Sequence, residues 1–278
     1  MGLLDRGVQL KTPEQIDLMR RAGLVVGETL ALLRDAVRPG ITTADLDALA
    51  EDSIRSRGAT PSFQGYHGFP ASICASVNEV IVHGIPGDRV LAEGDVISID
   101  CGAIVEGWHG DSAVTVPVGE VSAEATELIR VTEEAMWRGI AGARLGGRVT
   151  DISHAVEQYV RSQQEPGAAP YGIVEDYVGH GIGSEMHQPP NVPNFGKAGR
   201  GPKLQRGLAL AVEPMLTLGD QENDILEDDW TVVTADGSWA AHFEHTFTLT
   251  PDGFWVLTAL DGGRAFCERL GLPYGGRD

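Results

Sequence analysis

The chain has 278 residues, 42% of them hydrophobic and 22% charged, which allows one sizeable core or two intimate halves. Its 40 acidic and 21 basic side chains leave a net charge of −19, a field that disfavours nucleic acid as a direct partner and attracts cationic ligands such as a peptide α-amine, besides favouring solubility. No apolar run reaches the ~18 residues of a membrane helix, and the three cysteines, Cys74, Cys101 and Cys267, are too scattered for a disulfide framework or a thiolate zinc site, so a reducing cytoplasm is expected.

The start, Met1-Gly2-Leu3-Leu4-Asp5-Arg6, lacks a signal peptide's basic and apolar regions, and Arg6 breaks the myristoylation pattern. Thr12-Pro13-Glu14-Gln15 reads as a capping box with proline in the first turn. Ile16, Met19, Gly23, Val26, Leu30, Leu33 and Val37 continue it as a helix to Pro39-Gly40. A second helix is predicted over Thr43 to Arg57, then an aromatic loop over Ser62 to Cys74. Short β runs follow at Val80 to Val82, Val96 to Ile99 and Ser112 to Val116. Helices are expected over Ala123 to Ala143 and Thr150 to Gln163. Gln188 to Gln205, rich in proline and glycine, reads as an ordered surface loop, and Asp220 to Asp229 as a solvated turn. Strands around Leu208 to Val212 and Thr246 to Leu249 complete an α+β pattern.

The chain also repeats itself. Asp45-Leu46 with Ile54-Arg55-Ser56 is echoed by Asp151-Ile152 with Val160-Arg161-Ser162, and His83-Gly84-Ile85 by His180-Gly181-Ile182. Gly94 precedes Asp100 at the separation at which Gly207 precedes Glu213. His109-Gly110-Asp111 with Thr115 is matched by His242-Phe243-Glu244 with Thr248. Any one match arises easily by chance; four in the same order imply two similar halves, each a helix pair on a curved antiparallel sheet. A site would then lie near the pseudo-twofold axis, with two acids from each half.

Asp100 and Glu213 end apolar strands, while Asp111 and Glu244 begin apolar or β-branched ones. A buried carboxylate without a partner is costly. Each of the four taken singly reads equally well as an exposed strand end; taken together they call for a shared cation. In Gly179-His180-Gly181-Ile182-Gly183-Ser184-Glu185-Met186-His187, two histidines lie off any apolar helical stripe, and imidazole is a common metal ligand. Oxygen-rich ligation with one imidazole suits a hard or borderline divalent ion. Two such ions, about 3.5–4 Å apart and sharing two carboxylates, balance four negative charges and can activate water against an amide or ester.

Several segments carry a family resemblance: Tyr66-His67-Gly68, Val77-Asn78-Glu79, Val82-His83-Gly84-Ile85-Pro86, Asp100 with Asp111, Gly179 to Gly183, Met186-His187, Val212-Glu213-Pro214-Met215, Trp230-Thr231-Val232 and Phe243-Glu244-His245-Thr246. Together they resemble the type I methionine aminopeptidases of the pita-bread metallopeptidase group, from Lys11 to the final strands. The resemblance implies a pita-bread fold forming a single catalytic domain, 1–278, with halves at about 12–120 and 121–260. It implies that Asp100 chelates one metal, that His180 and Glu213 bind the other, and that Asp111 and Glu244 bridge them. The ions would be cobalt, manganese, iron or zinc. His83 would lie near the substrate amide and amine, His187 would hydrogen-bond the scissile carbonyl, and Glu213 would accept a proton from the water. Tyr66, Phe69, Cys74 and Trp230 would form the methionine pocket; plain core packing is the competing reading for all four, and Cys74 and Phe69 stand nearer to it than Tyr66 and Trp230.

The implied substrate is the N-terminal methionine of nascent chains with a small second residue, a rule that the chain's own Met1-Gly2 start obeys. An Xaa-Pro aminopeptidase or dipeptidase of the same fold is the alternative, although such proteins usually carry a further N-terminal domain. A non-catalytic RNA-binding relative fits poorly, because all five ligands are present and the charge is −19. A cytoplasmic monomer without membrane attachment is expected. The loop after His187 carries Lys197, Arg200, Lys203 and Arg206; it reads as solvated, with transient ribosome association as the competing reading.

Overall fold

The computed structural model describes residues 7–163 and 170–277; the readings placed on Met1 to Arg6 lie outside them. Helix α1 (Pro13–Ala36) starts as its sequence requires: Thr12 Oγ1 accepts from the Gln15 amide, and Gln15 Oε1 accepts from that of Thr12. Its buried stripe includes Met19, Val26, Leu30 and Leu33. Helix α2 (Thr43–Ser56) adds Leu46, Ala50 and Ile54 to the same core. Helices α3 (Ala123–Gly142) and α4 (Val149–Ser162) build the counterpart, with Leu128, Met136, Ile152 and Val156 fully buried. A short helix, α5 (Arg264–Leu270), which the sequence reading did not include, packs Phe266 and Cys267 into that second core.

Both cores lie against one curved antiparallel sheet, nine-stranded among the described residues. At its centre Trp108–Pro117 pairs with Glu244–Thr250, with Glu244 opposite Ala113. Outside these lie Val96–Val105 on one side and Ala209–Val212 on the other, each bearing or leading to an acid. This is the pita-bread arrangement of two pseudo-twofold halves.

The repeat has local physical reasons. Asp45 accepts a hydrogen bond from the Thr42 amide at 3.0 Å, and Asp151 accepts one from the Arg148 amide at 2.8 Å, so the duplicated aspartates cap α2 and α4. Gly94 and Gly207 adopt φ of 94° and 81°, a turn that side-chain-bearing residues resist, as the chain enters each acid-bearing strand.

Three expectations need correction. Gln188–Val192 is a strand paired with Gly179–Gly181, not loop; it lies at the end of the sheet order, where the missing amides of Pro189 and Pro190 can be tolerated. The aromatic loop ends at Ile73, where Ile73–Val77 pairs with Val96–Val105, so Cys74 lies in a strand. Within the acidic run, Asn223–Ile225 forms a largely exposed strand paired with Val232–Thr234. The basic side chains of loop 197–206 are exposed, and the loop is tied to α4 by the Gly199 amide on Asp151 and the Gly196 amide on Glu157. Among the described residues no helix is long and apolar enough to cross a membrane.

Candidate metal centre and substrate cleft

The hairpin of Val96–Val105 and Trp108–Pro117 turns through Glu106 and Gly107, with φ of 49° and 83°, the pattern of a tight hairpin turn with both central residues left-handed. That turn fixes the register, setting Asp100 opposite Ala113 and Gly102 opposite Asp111. Since Ala113 also faces Glu244, three carboxylates converge on one sheet face around one small side chain. Glu213 follows the neighbouring strand, where Val212 pairs with His245.

His180 is brought in by Gly179–Gly181. A Cβ on Gly181 would lie 2.4 Å from the Pro189 carbonyl oxygen, so only glycine lets the adjoining strands approach this closely. His180 Nδ1 lies 2.9 Å from the Gly181 carbonyl oxygen. A carbonyl can only accept, so Nδ1 carries the proton and the Nε2 lone pair is free for a cation. That Nε2 is 3.4 Å from Glu213 Oε1.

Ligand atoms of Asp111, His180 and Glu244 lie within 4.8 Å of one another, as do those of Glu213, His242 and Glu244. Asp100 Oδ1, Asp111 Oδ1 and Glu244 Oε1 are buried with no hydrogen-bond partner among the described residues. Each such orphan costs on the order of 1–3 kcal/mol or more. Burial pushes Asp100 up to about 7, and burial with neighbouring like charge drives Asp111, Glu213 and Glu244 well above the usual carboxylate range. Burial also pulls His180 and His242 down to about 3 and His83 to about 4, leaving their imidazoles neutral near pH 7. Carboxyls that resist ionisation until a positive charge compensates them, beside neutral imidazoles, are a donor set that fits divalent cations.

This polar end opens into a cavity of about 340 Å³. Its apolar end is walled by Phe63, Phe69, Cys74 and Met186, all buried, with Tyr66 and Trp230 partly exposed. Phe69 packs edge-on to Trp230 at 5.1 Å, and His83 lies 6.1 Å from Trp230 and 5.5 Å from Tyr177. Burial raises the Cys74 thiol well above its ordinary value, so it is an inert wall rather than a nucleophile. His187 stands exposed at the mouth, 4.2 Å from the His180 ring, with Nδ1 2.8 Å from Tyr66 Oη.

Every residue the sequence reading selected borders this one cavity. Phe63, Met186, Tyr177 and His242 also border it and were not selected. Met186 adjoins His187 in the glycine-flanked motif, and His242 answers His109 in the repeat, so signals for these two were present. Phe63 and Tyr177 reach the cavity through loop geometry that no local pattern encodes.

The profile of metallopeptidase family M24 matches residues 17–251. Methionine aminopeptidase from Clostridium acetobutylicum is 54% identical over 250 residues, spanning 90% of this chain and 98% of that protein. The crystal structure of methionine aminopeptidase from Thermotoga maritima superposes with a TM-score of 0.87 at 41% identity, covering 91% of this chain and 99% of that one. An Xaa-Pro dipeptidase from Bacillus anthracis shares the fold, with a TM-score of 0.70, at 22% identity, over 61% of its own length.

Proposed function

The chain belongs to metallopeptidase family M24, and from its likeness to the methionine aminopeptidases we propose that it is a methionine aminopeptidase, hydrolysing the N-terminal methionine from peptides and nascent proteins with a small second residue. The observation that carries this reading is one cavity in which an anionic, imidazole-bearing end adjoins an aromatic and sulfur-lined end.

Asp100, Asp111, His180, Glu213 and Glu244 are the residues to hold two divalent ions, of cobalt, manganese, iron or zinc, because four carboxylates carry the charge that two such ions neutralise. Bound there, the ions supply Lewis acidity that brings a water's pKa towards neutrality and polarises a carbonyl. The protein's own groups do the rest. Glu213 accepts the water's proton. His187 at the cleft mouth donates to the scissile carbonyl oxygen and stabilises the charge that develops there. His83, kept neutral by burial, orients the amide and amine. The thioether of methionine fits the wall of Tyr66, Phe69, Cys74 and Trp230, extended by Phe63 and Met186, through contact between sulfur and aromatic rings. The chain is read as a single catalytic domain working as a cytoplasmic monomer, and the exposed basic loop is where transient ribosome contact would fall.

The test is a substrate pair. Metal-loaded protein should release methionine from Met-Ala-Ser and leave Ala-Pro-Ala intact; cleavage of Ala-Pro-Ala instead would replace this reading with an Xaa-Pro peptidase.

A further inference from the structure

His242 is fully buried in the cavity wall, yet its Nε2 has no hydrogen-bond partner among the described residues. Its counterpart in the repeat is satisfied: His109 Nδ1 lies 3.0 Å from Ser62 Oγ. His242 borders the cavity beside Glu213. Its Nε2 is 3.7 Å from Glu213 Oε2, while His180 Nε2 is 3.4 Å from Glu213 Oε1. Glu213 stands between two imidazoles, one towards each oxygen.

The backbone of His242 is pinned, which limits how far the ring can turn away. It pairs with Met215, two residues beyond Glu213, in the strands Ala240–His242 and Met215–Thr217. Its amide donates to Thr115 Oγ1 at 2.9 Å, and its carbonyl accepts from the same hydroxyl at 2.7 Å. Reaching the ~2.9 Å of an N–H···O bond takes less than about an ångström of movement by the carboxylate.

We infer that His242 is a positioning residue for the proposed reaction: its Nε2–H holds Glu213 Oε2, so that Oε1 is the oxygen presented beside His180. The inference rests on the reading of Glu213 as ligand and proton acceptor. The same three side chains, Glu213, His242 and Glu244, could also be taken as the cage of another cation. Charge decides against a third ion there, and a His242 that ligated one of the two ions would carry no proton on Nε2. Four carboxylates balance two divalent ions, and a third would leave an uncompensated double charge in a buried cavity. A neutral N–H donor satisfies Glu213 and adds no charge. Such outer hydrogen bonds orient a ligand, and removing one typically costs 10- to 100-fold in metal affinity or activity.

The test compares His242→Leu with His242→Gln in the full-length protein, using manganese binding by calorimetry and kinetics on Met-Ala-Ser, with thermal melts to check folding. His242→Leu should lower kcat about 10- to 100-fold and weaken manganese binding by a similar factor, with KM nearly unchanged. His242→Gln keeps an N–H donor and should restore most of both. Should His242→Leu not fold, imidazole nitrogen NMR of the zinc-loaded wild type decides: the proton should sit on Nε2 of His242. Wild-type behaviour of His242→Leu, equal impairment of both variants, or a proton on Nδ1 would overturn the inference. An inactive wild type would instead overturn the proposed function.

Discussion

Tyr66 Oη lies 2.8 Å from Nδ1 of His187, tying the aromatic wall of the cleft to the histidine at its mouth. Burial, with the nearby Glu185 and Asp111 charges, raises the Tyr66 phenol, so it stays protonated and is the donor. An Nδ1 that accepts leaves the His187 proton on Nε2, where it can be offered to a carbonyl oxygen. Tyr66→Phe keeps the ring and loses only this bond, so kcat should fall about tenfold while KM changes little, in line with the worth of one hydrogen bond. Steady-state kinetics on Met-Ala-Ser decide it: a raised KM with unchanged kcat would confine Tyr66 to the pocket wall.

His187 itself should be dispensable for metal and not for turnover. His187→Ala is expected to keep its metal content and lose about 10²- to 10³-fold in kcat, the range for removing one oxyanion donor. Metal analysis beside kinetics checks this. Loss of both together would make His187 a ligand or a structural prop.

Glu244 sits opposite Ala113 at the centre of the sheet and belongs to both groups of converging ligand atoms. Glu244→Ala should therefore lose metal and activity together. Elemental analysis showing wild-type metal content in the variant would remove Glu244 from the ligand set.

Much of this site was legible because its residues lie in strands that the chain duplicates, although Asp100 and Asp111 fall inside Val96–Val105 and Trp108–Pro117 and not at the strand ends expected from the sequence. Asp100 and Glu213 follow Gly94 and Gly207, whose left-handed turns demand glycine, so the repeat left a readable trace. His180 and His187 were legible as a pair, but composition alone could not divide their roles. Their different surroundings suggest the division: His180 is buried with Nδ1 engaged by the Gly181 carbonyl, and His187 is exposed against Tyr66. Gln188–Val192 was hidden as a strand because two prolines mimic a loop, and only its edge position makes them tolerable. His242 was marked only by its match to His109 in the repeat; that its Nε2 lacks a partner is something no sequence pattern records.

The buried acids and imidazoles also predict how the metal-free protein responds to pH. Asp100 is held at about 7, and Asp111, Glu213 and Glu244 lie well above their ordinary range. With folded values above unfolded ones, these acids contribute stability that is present below the unfolded pKa of ~4 and lost as pH rises through the folded values. His180 and His242, at about 3, and His83, at about 4, act in the opposite sense. Their contribution is present above ~6.5 and lost as pH falls through the folded values. The two effects oppose each other between about pH 4 and 6.5; above that the histidines no longer offset the carboxylates, until Lys11, lowered by burial to about 8, begins to act against them. Thermal melts of metal-free protein should therefore show Tm falling from about pH 6.5 to 8, and manganese should reduce the fall by replacing protons on the same oxygens. A Tm that rises over this range without metal would contradict the picture.

The central claim is that these five ligands hold the ions on which methionine removal depends. Protein purified without added metal should be analysed for bound ions, stripped with chelator, and titrated with manganese or cobalt while release of methionine from Met-Ala-Ser is followed. Activity should vanish on stripping and return with added metal, reaching its maximum by two ions per chain. Undiminished cleavage by protein shown to contain no metal would contradict the account.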